Sequence, residues 1–257
     1  MRTTVVTGSA SGIGRATVEL LRSRGERVLG VDLHDADVTV DLGSPIGRTD
    51  LVTEVRALSG GRIDAIVANA GLARQTPADV AVNYFGAVAT LEGLRPLLEG
   101  SPAPRAVVTS SMASLLPADA ELVDLCLVGD ETAALARAGK LVEVQESGLL
   151  YASSKVALCR WVRRMAPWRE WAGQGIPLNA VAPGVVETPM VAGMLGTEVQ
   201  RAAMAAMVPM PLNGFMQAEV PARLLAWLVS EENSHLCGQV LFVDGGSDAV
   251  IRGDSTW

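Results

Sequence analysis

A tyrosine and a lysine four positions apart, Tyr151 and Lys155 in the run YASSK, stand on one face of any helix that carries them, because residues i and i+4 are neighbours there. The spacing sets an ammonium beside a phenol. A free phenol ionises at a pH of about 10 and is a poor acid or base at neutrality, whereas a fixed positive charge nearby favours the phenolate. The pair therefore predicts proton transfer, with Lys155 lowering the pKa of Tyr151. Taken alone, most such pairs are only a half-buried tyrosine beside a solvated lysine, so the rest of the chain has to decide.

The amino-terminal run TTVVTGSASGIGRATVELLRSRG supplies the first independent signal. Thr3 to Thr7 is a short β-branched run, Gly8, Gly12 and Gly14 fall in a loop with Ser9, Ser11 and Ile13 between them, and Ala16 to Leu21 has helical apolar spacing with Gly25 as a stop. Strand, glycine turn and helix together hold phosphate: glycines let backbone approach a pyrophosphate, and the free N–H groups of the helix start bind its oxygens. The spacing G-x-x-x-G-x-G differs from the G-x-G-x-x-G of the general dinucleotide fingerprint. A second strand, RVLGV, ends at Asp32, about 20 residues past the glycines, where a carboxylate can accept from the adenosine ribose hydroxyls. Asp32 would repel a 2′-phosphate, and Leu33 and His34 beside it offer no arginine or lysine to neutralise one. NAD is the expected cofactor rather than NADP.

On these residues the chain resembles the short-chain dehydrogenase/reductases over nearly its whole length. TGSASGIG is similar to that family's cofactor loop, NAG at Asn69, Ala70 and Gly71 to its motif after the fourth strand, SSM at Ser110 to Met112 to its catalytic-serine strand, and YASSK to its Tyr-x-x-x-Lys. NAVAPGVVETPM, Asn179 to Met190, resembles the segment that closes over nicotinamide, so Pro183, Gly184, Val186 and Thr188 are expected to border it. Within the family, GVDLHDADVTVDL, VNYFGA and VDGGSDAVIR are similar to bacterial 3α-hydroxysteroid dehydrogenase/carbonyl reductases. The resemblance implies that Tyr151 is the acid/base, that Lys155 also holds the nicotinamide ribose, and that Ser111, taken by register over Ser110 and Ser114, donates to the substrate oxygen. It further implies that Asn83 organises a water path from Lys155, that Asp41 and Leu42 contact adenine, and that Asn69, Ala70 and Gly71 bring backbone to the adenosine ribose.

The elements needed to bring these residues together are legible as a repeat. Strands are predicted near 3–7, 27–31, 63–68, 105–110, 176–182 and 239–243, with helices near 12–24, 47–58, 78–99, 151–172 and 218–230. Such alternation without a linker predicts an α/β fold, a doubly wound parallel sheet of Rossmann type forming a single domain over residues 1–257. In that architecture ligands sit outside the carboxyl ends of the strands, where Gly8, Asp32, Asn69, Ser111 and Pro183 all fall. A net charge of −7 without a basic cluster argues against nucleic acid. Cys126, Cys159 and Cys237 have no C-x-x-C spacing, and His34 and His235 are the only imidazoles, so no metal site is expected. No apolar run reaches membrane-spanning length and the first strand starts almost at Met1, which predicts a cytoplasmic protein. The expected assembly is a homo-oligomer, dimer or tetramer.

Two segments stand outside the repeat. Ser111 and Tyr151 are 40 positions apart, and a helical insertion near 115–148, with DAELVDLCLV and DETAALARAGKLVEV as one or two amphipathic helices, is expected to shape the substrate mouth or cover an interface. From Pro189 to Met216 there are six methionines and almost no charge beyond Glu198 and Arg201. Flexible thioethers suit a lid over irregular apolar ligands, so residues 189–216 are expected to close on an apolar cyclic alcohol or ketone, a 3-hydroxysteroid being the specific expectation from the resemblance. An ordinary packed helix is the plain alternative. The competing functions are a non-catalytic dinucleotide sensor or scaffold, and a dehydrogenase of small polar or acyl-thioester carbonyls.

Overall fold

The protein is described here as a computed structural model covering residues 1–255. Seven strands form one parallel sheet: β1 (Thr3–Thr7), β2 (Arg27–Asp32), β3 (Val38–Thr39), β4 (Ala65–Ala68), β5 (Arg105–Thr109), β6 (Leu178–Pro183) and β7 (Val240–Val243). Their order is β3-β2-β1-β4-β5-β6-β7, so the chain winds outward in one direction from β1 and then in the other from β4. The carboxyl ends of β1 and β4 thus diverge into a crevice. Because side chains alternate across a strand, Val5 of β1 enters one core and Val6 the other.

Helices α1 (Gly12–Ser23) and α9 (Glu219–Leu228) cover the face that holds Val6, with Val18, Leu21 and Leu225 fully or nearly buried. The opposite face is covered by α2 (Pro45–Ser59), α3 (Pro77–Val80), α4 (Ala87–Leu94) and α7 (Gly148–Met165). The predicted continuous helix over 78–99 is interrupted: between α3 and α4 lies a π-helical stretch, Ala81–Gly86, and the rod ends in a 3₁₀ turn, Arg95–Leu98. In a π-helical turn each bond spans five residues rather than four, which widens the rod around Asn83. The insertion forms two helices, α5 (Ala120–Val128) and α6 (Glu131–Glu143), capped by the side chains of Asp119 and Asp130. Leu122, Cys126, Ala138 and Leu141 of this pair join the main core, so the insertion is integral to the domain.

After β6 the chain leaves the sheet and returns, and the two ends of the excursion are tied by a bridge in which Glu187 N donates to Met216 O at 2.9 Å and Met216 N donates to Val185 O at 3.1 Å. The excursion contains a 3₁₀ turn, Pro189–Met194, and α8 (Glu198–Met207), which buries none of its residues. A short α10 (Ser247–Arg252) follows β7. No described helix is long and apolar enough to cross a membrane.

Candidate active site

The small residues of YASSK let α7 lie close against its neighbours: Ala152, Ser153 and Ser154 are buried, and the two serine hydroxyls donate back to Leu149 O at 2.7 Å and Tyr151 O at 2.7 Å. Tyr151 is partly exposed, and Lys155, one turn on, is 3% exposed. Lys155 Nζ donates to the Thr109 carbonyl at the end of β5, at 3.0 Å, and stands 5.6 Å from the centre of the Tyr151 ring. Burial lowers the Lys155 pKa from 10.5 to about 8. The Tyr151 phenol is raised, first by burial, with a hydrogen bond from Ser111 acting the other way. This departs from the expected lowering by Lys155: in this arrangement the cost of burying a phenolate exceeds any help from the ammonium.

Three serines stood near the expected position, and their surroundings separate them. The Ser110 hydroxyl is buried and turned toward α7, 3.3 Å from Lys155 O and 3.0 Å from Cys159 Sγ. Ser114 hydrogen-bonds Cys159 as well. Ser111 alone meets Tyr151, while its Oγ also accepts from Ala113 N at 3.1 Å and caps the turn Met112–Leu115. Asn83 lies in the π-helical stretch, fully buried, where Oδ1 accepts from Leu72 N at 2.7 Å and Nδ2 reaches Leu72 O at 2.9 Å and Ser154 Oγ at 3.3 Å. A Cβ added to Gly71 would come within 3.2 Å of Asn83 Oδ1 and 3.7 Å of Lys155 Nζ, so these three positions are brought together.

The glycine loop is as close-packed as its composition suggests. A Cβ on Gly14 would lie 1.9 Å from the Gly8 carbonyl oxygen, and Gly8 and Gly12 have φ of +69° and +50°, a region that favours glycine. Gly8 faces the Ala70 backbone, where an added Cβ would stand 2.9 Å from Ala70 Cα. The Asn69 side chain is engaged with the strand ends, donating to Thr7 O at 3.2 Å and accepting from Thr109 Oγ1 at 3.0 Å, and Thr7 Oγ1 accepts from the amides of both Asn69 and Ala70 at 3.0 Å. Asp32 accepts from Ala10 N at 2.9 Å and from Leu33 N at 2.7 Å, so it braces the loop it adjoins. Asp41 is exposed and accepts from Gly43 N at 2.8 Å, while Leu42 is buried, with its side chain already in the main core.

Whether this cradle suits a dinucleotide can be read from the start of α1. Its first turn carries no acidic residue and the Ser11 side chain makes no capping bond, so the amides there keep their capacity for an anionic oxygen. A cavity of about 190 Å³ opens at this end, bordered by Ser11, Gly12, Arg15, Glu187, Thr188 and Pro189. Thr188 reaches the loop itself, its Cγ2 lying 3.1 Å from where a Gly12 Cβ would be. Pro183 closes β6, Gly184 N donates to Val243 O at 3.1 Å, and Val186 joins Met112, Val185, Leu195, Val208, Met210 and Met216 in an apolar cluster beside Ser111. Of the methionines of the excursion, Met210 and Met216 are buried there, whereas Met190, Met194 and Met207 are exposed.

Sequence reasoning passed over three residues that build this site. Thr7 and Thr109 fasten Asn69 and Lys155, and only the pairing of strands reveals that they are neighbours. Asp79, fully buried, accepts from the amides of Arg74 and Gln75 at 2.9 to 3.0 Å and holds the loop after Gly71; its place in the first turn of a helix after Thr76-Pro77 was the available signal.

Known proteins were compared on this basis. A family profile described as enoyl-(acyl carrier protein) reductase matches residues 129–248. The chain is 36% identical over 255 residues to the 3-alpha-hydroxysteroid dehydrogenase/carbonyl reductase of Comamonas testosteroni, covering 96% of this chain and 97% of that protein. It is 33% identical to a cis-4-hydroxycyclohexanecarboxylate dehydrogenase of Sinomonas cyclohexanicum, with 97% of both chains covered. The crystal structure of the 3-alpha-hydroxysteroid dehydrogenase from Pseudomonas sp. B-0831 complexed with NADH superimposes with a TM-score of 0.90 and 38% identity, over 98% of this chain and 99% of that one.

Proposed function

The chain belongs to the short-chain dehydrogenase/reductase family of oxidoreductases, and from that premise we propose that it interconverts an apolar cyclic secondary alcohol and its ketone with NAD as cofactor. One observation carries the substrate class: Met112, the residue after Ser111, packs with Val185, Met210 and Met216 in an apolar cluster that gives the ground beside Ser111 and Tyr151 a hydrocarbon character. A ring of saturated carbons would be held there by contact area, with its one oxygen directed to Ser111 and Tyr151. The similarity to a 3-alpha-hydroxysteroid dehydrogenase and to a hydroxycyclohexanecarboxylate dehydrogenase supports the same class, and a 3-hydroxysteroid is the first candidate.

Bound nicotinamide supplies or accepts the hydride. The chain's own residues handle the proton. A carbinol releases hydride only as its hydroxyl proton leaves, so Tyr151 takes that proton, and Ser111 donates to the oxygen and stabilises charge there. Lys155, on the Thr109 carbonyl and 5.6 Å from the centre of the Tyr151 ring, would hold the nicotinamide ribose. Asn83 supports the path beyond it through the π-helical stretch. Gly8 to Gly14 and the start of α1 hold the pyrophosphate, Asp32 the adenosine ribose, Asp41 and Leu42 the adenine edge, and Pro183 to Thr188 the nicotinamide. The segment 189–216 is read as the lid: its carboxyl-terminal part is fixed by the Met216 bridge and by Leu212 N donating to Gly245 O at 2.9 Å, and α8, which buries none of its residues, is held from outside by Glu187, which pairs with Arg201 and accepts from Gln217. A carrier-linked acyl thioester would favour free basic groups at that rim, and Arg201 is engaged there.

Incubation of the protein and NAD with a panel of cyclic secondary alcohols, steroidal and monocyclic, tests the reading by absorbance of NADH. Turnover is expected for apolar members and none for polyols; the reverse order would reject the substrate class. NAD should bind at least about a hundredfold more tightly than NADP, because the Asp32 carboxylate would face a phosphate dianion. Asp32→Asn, which keeps an acceptor for Ala10 N, should narrow that ratio by about tenfold, and an unchanged ratio would show that Asp32 does not select the cofactor.

A further inference from the structure

Arg48, in the first half of α2, is 83 residues from its ion-pair partner Glu131 on α6 and is enclosed by groups from three other parts of the chain. Its Nε donates to Leu42 O at 2.7 Å, and Nη2 reaches Gly43 O at 3.2 Å and Ala81 O at 3.1 Å. Nη1 and Nη2 each meet one oxygen of the Glu131 carboxylate at 2.7 Å, with the arginine side chain 10% exposed and the glutamate 27%. A planar guanidinium offers five N–H donors in a fixed fork, and this one binds a carboxylate on one edge and three main-chain carbonyls on the others. Two of those carbonyls belong to the residues that follow Asp41. The third opens the π-helical stretch that carries Asn83.

The loop 41–43 is held locally by Gly43 N donating to Asp41 Oδ1 at 2.8 Å and by Ser44 N donating to Asp41 O at 3.1 Å, while the carbonyls of Leu42 and Gly43 are taken by Arg48. It follows a two-residue strand, and it is gripped by close backbone contacts that only glycines permit: a Cβ on Gly47 would stand 2.1 Å from Asp41 O, and one on Gly86 2.9 Å from Leu42 O. Among the described residues, Arg48 is the one side chain that bonds Leu42 and Gly43 and also reaches the insertion. Resting on the reading that Asp41 and Leu42 meet adenine, we propose that Arg48 is a positioning residue for the adenosine end of the cofactor site, and that Glu131 makes the inserted helices α5 and α6 part of that support. The insertion thereby serves cofactor affinity. Glu131 sits in the first turn of α6, where the helix dipole favours a carboxylate, and from there its two oxygens meet Arg48.

The test separates the two halves of the dinucleotide. AMP carries the adenosine end and nicotinamide mononucleotide the other, and binding of each to the intact protein is measured by titration calorimetry. In Arg48→Met the dissociation constant for AMP should rise about tenfold while that for nicotinamide mononucleotide stays within about twofold, since only the adenosine loop loses its anchor. Glu131→Gln, which keeps the bonds to the carbonyls, should weaken AMP by about threefold in the same pattern, and Arg48→Lys should lie between Arg48→Met and the parent. General loosening of the fold would weaken both ligands alike and would overturn the proposal. If Arg48→Met does not fold, Glu131→Gln decides, and unchanged AMP affinity there overturns it. A parent that binds NAD, with AMP affinity indifferent to both substitutions, removes this role and leaves the enzyme reading intact; a parent that binds neither AMP nor NAD removes both.

Discussion

Tyr151→Phe is expected to reduce kcat for alcohol oxidation by about three orders of magnitude, the scale of a lost general base, while leaving NAD affinity within about twofold of the parent. The substitution removes one oxygen and keeps the ring that packs beneath Lys155. Ser111 loses its partner, but its Oγ still accepts from Ala113 N, so the turn at Met112–Leu115 persists. Because burial raises the Tyr151 pKa, the parent should oxidise faster as pH rises through the alkaline range and reduce more slowly over the same range. Loss of that profile in Tyr151→Phe would accompany loss of rate. Substantial turnover with the pH dependence retained would assign the proton to another group.

Lys155→Met is expected to give a similar loss of turnover together with a gain in stability. A lysine held at about 8 in the fold and 10.5 when unfolded binds fewer protons folded than unfolded between those values. Stability therefore rises with pH across that window, and below it the folded protein bears the whole cost of a buried ammonium. That cost is at most roughly 3 kcal/mol, of which the bond to Thr109 O returns about 1 kcal/mol. Replacing Lys155 by an unbranched apolar side chain should raise the melting temperature at pH 7 by about 4 to 8 °C, and the difference should shrink toward pH 10. A destabilised variant at pH 7 would mean that the ammonium is paid back by its surroundings more fully than its single protein acceptor suggests.

The residues that local chemistry constrains were readable from the chain. Tyr151 and Lys155 need only one helical turn to meet, and Gly8, Gly12 and Gly14 mark backbone that must bend or come close, as the 1.9 Å clash at Gly14 shows. The central strands stood out for the same reason: β1, β4, β5 and β6 are rich in valine and alanine and almost wholly buried. What escaped was set by distance or by packing. β3 has two residues, too short for any periodicity. Ala81–Gly86 has helical apolar spacing, and its wider turn accompanies the demands of Asn83 on Leu72, a contact 11 residues away. α10 is six residues long and was read only as a terminal phrase. The bracing of Asp32 against Ala10 and the Arg48–Glu131 pair both depend on which groups the fold brings side by side. The excursion after β6 was read from its methionines, and they divide: Met210 and Met216 line the apolar cluster, and three others face solvent.

Transfer of isotope from a labelled alcohol is the most direct measurement of the central claim. A cyclic secondary alcohol carrying deuterium at its carbinol carbon, incubated with NAD and the protein, should yield NADH with one deuterium at C4 of the nicotinamide and the unlabelled ketone in equal amount, with both products absent for Tyr151→Phe. Ketone and labelled NADH appearing equally in the variant would contradict the role of Tyr151. Absence of deuterium from NADH across apolar cyclic alcohols, with NAD bound, would contradict the assignment of this site to alcohol and ketone chemistry.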